Sequence, residues 1–516
     1  MKILYLGVSS KYIHTMPAGW FLSEYLKEKG IGVKEIYHNI NKPCKNILDD
    51  VIKQSPDVLL LSVYIFNVNL IRKLIFDIRK SLPLCKIIIG GPEADISLDA
   101  DKIIFGEGER ALYEYLKGKT IDTSPIENLD DIPSPYTFER LANSKNKMIY
   151  YESSRGCPFT CSYCMAALTK GVRYFSLERV KKDLKTIVKG GAKIIKFTDR
   201  TFNADTKRTN AILQFIALAF EDCDVCFHFE VGGDLFHKST LDILRTFPKG
   251  LAQMEAGVQS LNKATLKAVN RVFDKEKFVY NIEKIISFQN IHMHLDLIAG
   301  LPLEDKESFI SSFNQTIALR PHMLQLGFLK FLKGAPIRKT YDAKYKQSPP
   351  YEIISSEYMS EDDLKELKKV EYIVDKLYNT NRFHFTLKYL FDKYNSPYQI
   401  FKEIADFFEE KNLYRGMSMN TIYETMLQFL KNSSKAKDLL RLDFIVSNNS
   451  RKTPYPLRKP YLSDFKRFLQ QRPKDRDTLY EYFEYLPEKN KGEYIVKVDY
   501  TKKDKVTSLY DWKIID

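Results

Sequence analysis

Cys157, Cys161 and Cys164 fall within eight residues, in the stretch Arg155-Gly-Cys157-Pro-Phe-Thr-Cys161-Ser-Tyr163-Cys164. No other feature limits the fold and chemistry of this chain as tightly. Three thiolates on one loop carrying Gly and Pro can wrap one face of an iron–sulfur cubane. They leave its fourth iron open to a small molecule. A structural zinc site would take four protein ligands, and no fourth Cys or His lies nearby in the sequence. The total of seven cysteines is odd and clustered, which speaks for metal ligation over a disulfide framework. That pattern belongs to a reducing compartment, and a cytoplasmic protein is expected. Cys223 and Cys226 form a separate C-x-x-C. Two thiolates are too few for a second cluster, so they are expected as buried small residues beside a strand.

The 516 residues allow two to four domains. Residues 1–118 alternate strand and helix. Strand-like runs are KILYLGV, VKEIYHN, VLLLSVY and KIIIGG, with a short KIIFGE beyond them. Helical apolar spacing recurs at 18–29, 45–54 and 67–81. LLLSVY and IIIGG are nearly continuous apolar runs, as parallel strands buried on both faces require. The expectation is an α/β, doubly wound, Rossmann-like domain over 1–120, with ligands held at the carboxyl ends of its strands. Those ends carry Ser9, Tyr12, His14, Ser62, Tyr64, Gly90 and Gly91. A Pro-punctuated linker follows at 121–145.

From 146 to 335 a strand–helix alternation repeats about six times, with strands near 147–154, 193–199, 225–231, 252–258, 292–299 and 323–330. This predicts a parallel sheet with right-handed crossovers. Several of these strands carry one polar face. His292, His294 and Asp296 share a face of IHMHLDLIAG, His228 and Glu230 share one of CFHFEV, and Gln253, Glu255 and Gln259 share one of QMEAGVQS. Closed barrels are packed with branched apolar residues, so this interior is expected to hold water and ligands. Residues 336–516 read as mostly helical, with amphipathic stretches near 361–377, 399–411, 420–431 and 463–471 and a short hairpin at GEYIVKVDY. An accessory domain capping the barrel mouth is expected there.

No apolar run reaches the ~18 residues of a membrane span, and MKILYLGV lacks the pattern of a signal peptide. The net charge of +14 divides as +1, +6 and +7 over residues 1–150, 151–330 and 331–516. That spread reads as a solvated surface and does not point to nucleic acid.

The cysteine stretch, with its aromatic Tyr163, resembles the radical S-adenosylmethionine (SAM) signature. The N-terminal strand order, the Ser on the third strand, Gly90-Gly91-Pro-Glu and Gly106-Glu107-Gly108-Glu109 resemble the cobalamin-binding domain attached to many radical SAM proteins. The C-terminal segment resembles an uncharacterised domain found on some of them. The resemblance implies a partial (β/α)6 TIM barrel, a 4Fe-4S cluster on the three cysteines, SAM and cobalamin. It also implies SAM contacts at Tyr163, Asp199, Arg200, Glu230, Gln259 and Asp296. Cobalamin contacts would fall at Ser9, Tyr12, His14, Ser62, Tyr64, Gly90, Gly91 and Glu107. Classical corrinoid domains present Asp-x-His-x-x-Gly after the first strand. Here Tyr12-Ile-His14-Thr-Met-Pro17 lacks both the Asp and the Gly, so His14 is expected to hydrogen-bond within its loop in place of ligating cobalt.

The activity implied is methylation of an unactivated carbon. One SAM would methylate cob(I)alamin and a second would yield a 5′-deoxyadenosyl radical. A radical cyclisation, rearrangement or oxidation is the nearest alternative. RNA modification of the methylthiotransferase kind is another, but it should bring three further N-terminal cluster cysteines, where only Cys44 and Cys85 stand. A non-catalytic cobalamin sensor would not need the triad. The expected partners are a small-molecule or peptide substrate and an electron donor such as flavodoxin or ferredoxin, acting on a monomer.

Overall fold

The computed structural model describes residues 1–169, 171–413, 417–450, 452–472 and 475–515. Its first sheet has five parallel strands: β1 (Ile3–Ser9), β2 (Lys34–Asn39), β3 (Val58–Ser62), β4 (Lys86–Gly90) and β5 (Lys102–Ile104), in the order β2-β1-β3-β4-β5. β1 and β3 are buried at every position, because helices cover both faces. On one face Leu4, Leu6, Leu59 and Ile87 meet Ile71, Leu74, Ile75 and Ile78, the apolar stripe of helix Val68–Ser81. On the other, Ile3, Tyr5, Leu60 and Ile88 meet Leu26, Ala111 and Leu112 from helices Pro17–Glu28 and Gly108–Leu116. Each fully buried Leu or Ile contributes about 1.5–3 kcal/mol relative to exposure. Buried Asn67 fixes the carboxyl ends of the two central strands. Its Nδ2 donates to the carbonyls of Val8 (3.0 Å) and Ser62 (3.1 Å), and its Oδ1 accepts from Tyr64 N–H (2.8 Å).

The 121–145 stretch does not behave as a free connector. Ile126, Leu129, Ile132, Tyr136 and Leu141 are all buried, and it contains helix Phe138–Ala142, capped by the Thr137 side chain. Its prolines break regular elements without removing apolar anchors, so the chain packs where composition alone suggested a tether.

Next come β6 (Ile149–Tyr151) and an antiparallel hairpin of β7 (Ser154–Cys157) with β8 (Gly171–Tyr174). The single strand expected at 147–154 is thus split in two. The following strands are β9 (Ile194–Phe197), β10 (Cys226–Val231), β11 (Ala252–Gln259), β12 (Ile291–Ala299) and β13 (Met323–Phe328). With β6 they form a six-stranded sheet in the order β13-β12-β11-β10-β9-β6. The crossover helices start on side-chain caps, with Ser176 before Leu177–Lys189, Asp205 before Thr206–Ala219 and Asp305 before Lys306–Ala318. The expected alternation is present. Along β11, Ala252, Met254, Ala256 and Val258 are buried, and Gln253, Glu255, Gly257 and Gln259 are half-exposed. Cys223 and Cys226 are likewise half-buried, less enclosed than expected.

The chain divides into two compact units, residues 1–255, 266–281 and 329–354 forming the first and 256–265, 282–328 and 355–516 the second. β11 runs through both. Two short strands, β14 (Ala343–Tyr345) and β15 (Ile353–Ser356), follow the barrel. The second unit holds the four expected helices, at Glu361–Ile373, Pro397–Glu410, Met419–Phe429 and Ser463–Gln470, and two unexpected ones, His384–Lys393 and Ser434–Ser447. Ser434–Ser447 buries ten consecutive or near-consecutive residues from Ala436 to Val446, so no stripe marks it in sequence. Among them Arg441 bonds Asp438 (3.0 Å) and Glu481 (2.6 Å), and Lys459 bonds Asp438 (2.8 Å). The expected hairpin is a three-stranded antiparallel sheet of β16 (Thr478–Phe483), β17 (Tyr494–Lys503) and β18 (Tyr510–Ile515). Among the described residues no helix is long and apolar enough to cross a membrane.

Asp443 in that buried helix accepts the N–H groups of Phe385 (2.8 Å) and Thr386 (2.9 Å) at the start of helix His384–Lys393. Burial pushes its carboxyl up to about 7, against the hydrogen bonds that favour the charge. The unfolded carboxyl titrates near 3.9, so the folded chain holds the proton more tightly. The associated stability is present below about pH 4 and lost as pH rises towards 7. Melting curves from pH 5 to 8 should show this decline in the wild type and lack it in Asp443→Asn. Equal slopes would refute the assignment.

Candidate active site

β7 ends on Cys157, and its geometry depends on Gly156. That residue has φ +100°, and a Cβ there would stand 2.2 Å from the carbonyl oxygen of Gly171. Only glycine lets β7 and β8 approach so closely. Cys157 and Cys161 are buried and Cys164 is half-buried, all three as free thiols. Burial raises the Cys164 thiol, and the Cys161 and Cys157 sulfurs raise it further. Cys164 Sγ accepts Ala166 N–H (3.4 Å), and Thr201 Oγ1 lies 3.6 Å from Cys157 Sγ. Backbone bonds tie the loop down, from Ser162 N–H to Val269 and from Ile337 N–H to Ser162. The donor set, three soft thiols on one short loop with no fourth protein ligand in it, fits a cubane with one open iron.

Arg155, two residues before Cys157, is the site's main electrostatic anchor. It bonds Glu109 (2.7 Å), Glu152 (2.9 Å) and Glu107 (3.3 Å), so the Gly106-Glu107-Gly108-Glu109 segment is fastened to the cysteine loop. Arg173 on β8 also bonds Glu107. Burial pushes the Glu107 carboxyl up, but Arg173 and Arg155 overrule it and hold it below the usual range. Glu107 is therefore engaged by arginines and does not line the glycine-bordered pocket described below.

The residues expected around SAM fall into different environments. Tyr163 is bonded by Arg271 Nη1 (3.3 Å). Arg200 is exposed, and its charge lowers the Cys164 thiol. Asp199 is fully enclosed, accepting Ser153 N–H (3.0 Å), Ser153 Oγ (2.6 Å) and Ser154 Oγ (2.5 Å), so its carboxylate braces the start of β7. Glu230 lies 3.6 Å from Lys196 Nζ, which also bonds Glu255 (3.1 Å), and His228 Nε2 meets Glu255 at 3.0 Å. Lys196 was not singled out from the sequence, although KIIKF shows the same alternation as its neighbours. In the second unit Asp296 meets His294 (2.8 Å), and Gln259 sits at φ +67° with Oε1 buried and without a hydrogen bond among the described residues.

The residues expected around cobalamin separate into two groups. Ser62, Tyr64, Gly90 and Gly91 line a pocket of about 200 Å³ with Leu60, Ile88, Ile104 and Leu112. Tyr5 closes it, donating to Ser62 Oγ at 2.9 Å. An apolar slot bordered by glycines and ending in a hydroxyl pair fits a flat heteroaromatic base such as a corrinoid tail carries. Gly91 is indispensable to it, since φ is +103° and a Cβ would lie 2.6 Å from the Val63 carbonyl oxygen. Gly91→Ala is expected to cost about 1–3 kcal/mol and to abolish retention of corrinoid, read from the visible spectrum of the purified protein. Full retention would contradict this account. Ser9, Tyr12 and His14 instead line a separate cavity. His14 Nδ1 lies 2.7 Å from Tyr150 Oη on β6, a partner outside its own loop.

Fold and site together define a class: an open parallel α/β domain with a glycine-bordered pocket, followed by a six-stranded parallel sheet bearing a three-cysteine loop. Comparison with known families agrees segment by segment. Residues 3–116 match the B12 binding domain, 151–315 the Radical SAM superfamily, and 339–509 a protein family of unknown function, DUF4080. Residues 3–116 are thus a B12 binding domain and 151–315 a radical SAM domain, and the cofactors are a 4Fe-4S cluster, SAM and cobalamin. It is 22% identical over 342 residues to the cobalamin-dependent radical SAM methyltransferase TokK of Streptomyces tokunonensis, covering 57% of this chain and 50% of TokK. It thus spans about half the length of that relative. In fold it is similar to the cobalamin-dependent SAM radical enzyme OxsB, solved with aqua-cobalamin and SAM (TM-score 0.57, 15% identity, 83% of this chain and 75% of OxsB). It is similar also to the radical SAM methyltransferase TsrM of Kitasatospora setae (TM-score 0.54, 15% identity, 67% of this chain and 80% of TsrM).

Proposed function

We propose that this chain is a cobalamin-dependent radical SAM enzyme that methylates an unactivated carbon. The carrying observation is that one compact unit holds both the three-thiol loop and the glycine-bordered pocket, fastened to each other through Arg155. The relationship to TokK supports methyl transfer as the outcome. When bound, the cluster supplies an electron to the sulfonium of SAM and the corrinoid carries a methyl group. The cofactors perform the difficult chemistry, and the protein positions and shields them.

In this reading residues 1–120 bind the corrinoid, 146–335 form the barrel, and 336–516 are accessory. Cys157, Cys161 and Cys164 hold the cluster. Tyr163 and Arg200 would contact SAM, and Asp199 positions the loop through Ser153 and Ser154. Glu230, Gln259 and Asp296 offer polar groups to SAM. Ser62, Tyr64, Gly90 and Gly91 take the corrinoid tail, Ser9, Tyr12 and His14 belong to the separate cavity, and Glu107 positions Arg155. Lys196 balances Glu230 and Glu255, so the face of the strands presented to a substrate is polar without a large net charge. The substrate is a small molecule or peptide, and a flavodoxin- or ferredoxin-type protein supplies electrons to a cytoplasmic monomer.

The test is anaerobic reconstitution with iron, sulfide and cobalamin, followed by SAM labelled in its methyl group and a reductant. Label on the corrinoid is expected. Formation of 5′-deoxyadenosine with no label on the corrinoid would leave the radical step standing and remove methyl transfer.

A further inference from the structure

The first sheet ends in β2, which pairs with β1 alone among the described residues. Beside β2 lies a cavity of about 880 Å³, bordered by residues from Gly32 to Lys42 and, on the opposite wall, by the segment from Thr137 to Lys147. Sites for ordinary organic ligands span about 300–1,000 Å³. The six residues of β2 give this groove a length of roughly 20 Å at about 3.3 Å per residue, so it suits an extended chain.

Three properties mark it as a built site. Lys34–Tyr37 make no backbone hydrogen bond except to β1 among the described residues, leaving the outer row of N–H and C=O groups as a pairing template. Ser23 Oγ borders the cavity and is buried without a hydrogen-bond partner, which costs free energy unless a ligand satisfies it. Cations outnumber carboxylates along the lining, with Lys27, Lys34, Lys42, Arg140 and Lys147 against Glu24, Glu35 and Glu139. Arg140 is held in place by Glu24 (2.8 Å) and Glu35 (2.5 Å). Half-buried Lys147 and exposed Lys34 have no carboxylate in ion-pair range among the described residues, and Lys147 rests over the Tyr12 ring at 5.0 Å. At one end the groove reaches His14, which meets Tyr150 Oη at 2.7 Å. Tyr150 pairs with Lys196 across β6 and β9, so that end adjoins the polar face of the barrel strands.

We infer that this groove binds an extended acidic peptide, which adds as a strand to β2 and presents one end at Tyr150. Main-chain bonds to an edge strand supply affinity in such complexes, and side-chain contacts supply specificity. That the peptide is the methylation substrate rests on the function proposed above. That the groove binds it does not.

The experiment is fluorescence anisotropy with the full chain and a labelled probe of about ten residues alternating Glu and Val, without SAM or reductant. Saturable binding is expected, weakened about tenfold by Lys147→Glu or Lys34→Glu, each with its melting temperature checked against wild type. Methylating alternate amide nitrogens of the probe removes donors but leaves its charge, and should abolish binding. Binding indifferent to N-methylation would reduce the groove to a general anion site and overturn strand addition. Absence of saturable binding, or binding unchanged in both variants, would overturn the proposal. Formation of 5′-deoxyadenosine does not enter this readout, so failure here leaves the radical reading untouched.

Discussion

Arg155→Met is expected to destabilise the first unit by about 3–5 kcal/mol, the cost of removing one partner from a buried ion cluster. Methionine keeps most of the aliphatic length that packs beside Phe21, whose ring lies 5.6 Å from the guanidinium. The loss is therefore one of charge. Glu109 and Glu152 would lose a charged partner at 2.7 and 2.9 Å, while Glu107 keeps Arg173. Burial already pushes the Glu152 carboxyl up, and Arg155 is the charge that restrains it. A destabilisation of this size lowers the melting temperature by roughly 10 °C in a unit of this size. Denaturant unfolding would measure it, and Arg155→Met combined with Glu109→Gln should recover part of the loss because the two share one network. A change under about 1 kcal/mol would mean that the junction is held by other contacts.

Cys161→Ser has the largest expected effect on chemistry. Thiolates are the ligands iron–sulfur clusters take, and a serine hydroxyl offers neither the softness nor an accessible anion. The reconstituted variant should lack cluster absorption and bind far less iron. Its 5′-deoxyadenosine should fall to background with the fold intact by circular dichroism. Wild-type iron content together with wild-type 5′-deoxyadenosine would remove Cys161 from the ligand set.

The cysteine loop, the doubly wound sheet and the polar strand faces were legible because each is a local pattern, carried by spacing of 3–4, by continuous apolar runs or by period-two alternation. What escaped the sequence depends on distant partners. Glu107 reads as a residue at a ligand-binding loop, and only the folded chain shows Arg155 and Arg173 converging on it. Asp199 reads as a ligand group, yet Ser153 and Ser154 occupy its oxygens. Ser9, Tyr12 and His14 follow the first strand as corrinoid-binding residues would, but they turn to a different cavity from Ser62 and Gly90. Helix Ser434–Ser447 was hidden because Asp438, Arg441 and Asp443 occupy core positions, where a sequence pattern expects apolar side chains.

The most direct test of the central claim is 5′-deoxyadenosine formation by the anaerobically reconstituted chain under excess reductant, with cluster content measured in the same sample. Formation of 5′-deoxyadenosine is expected, dependent on Cys157, Cys161 and Cys164 together. A fully loaded 4Fe-4S protein that leaves SAM intact under those conditions would contradict it.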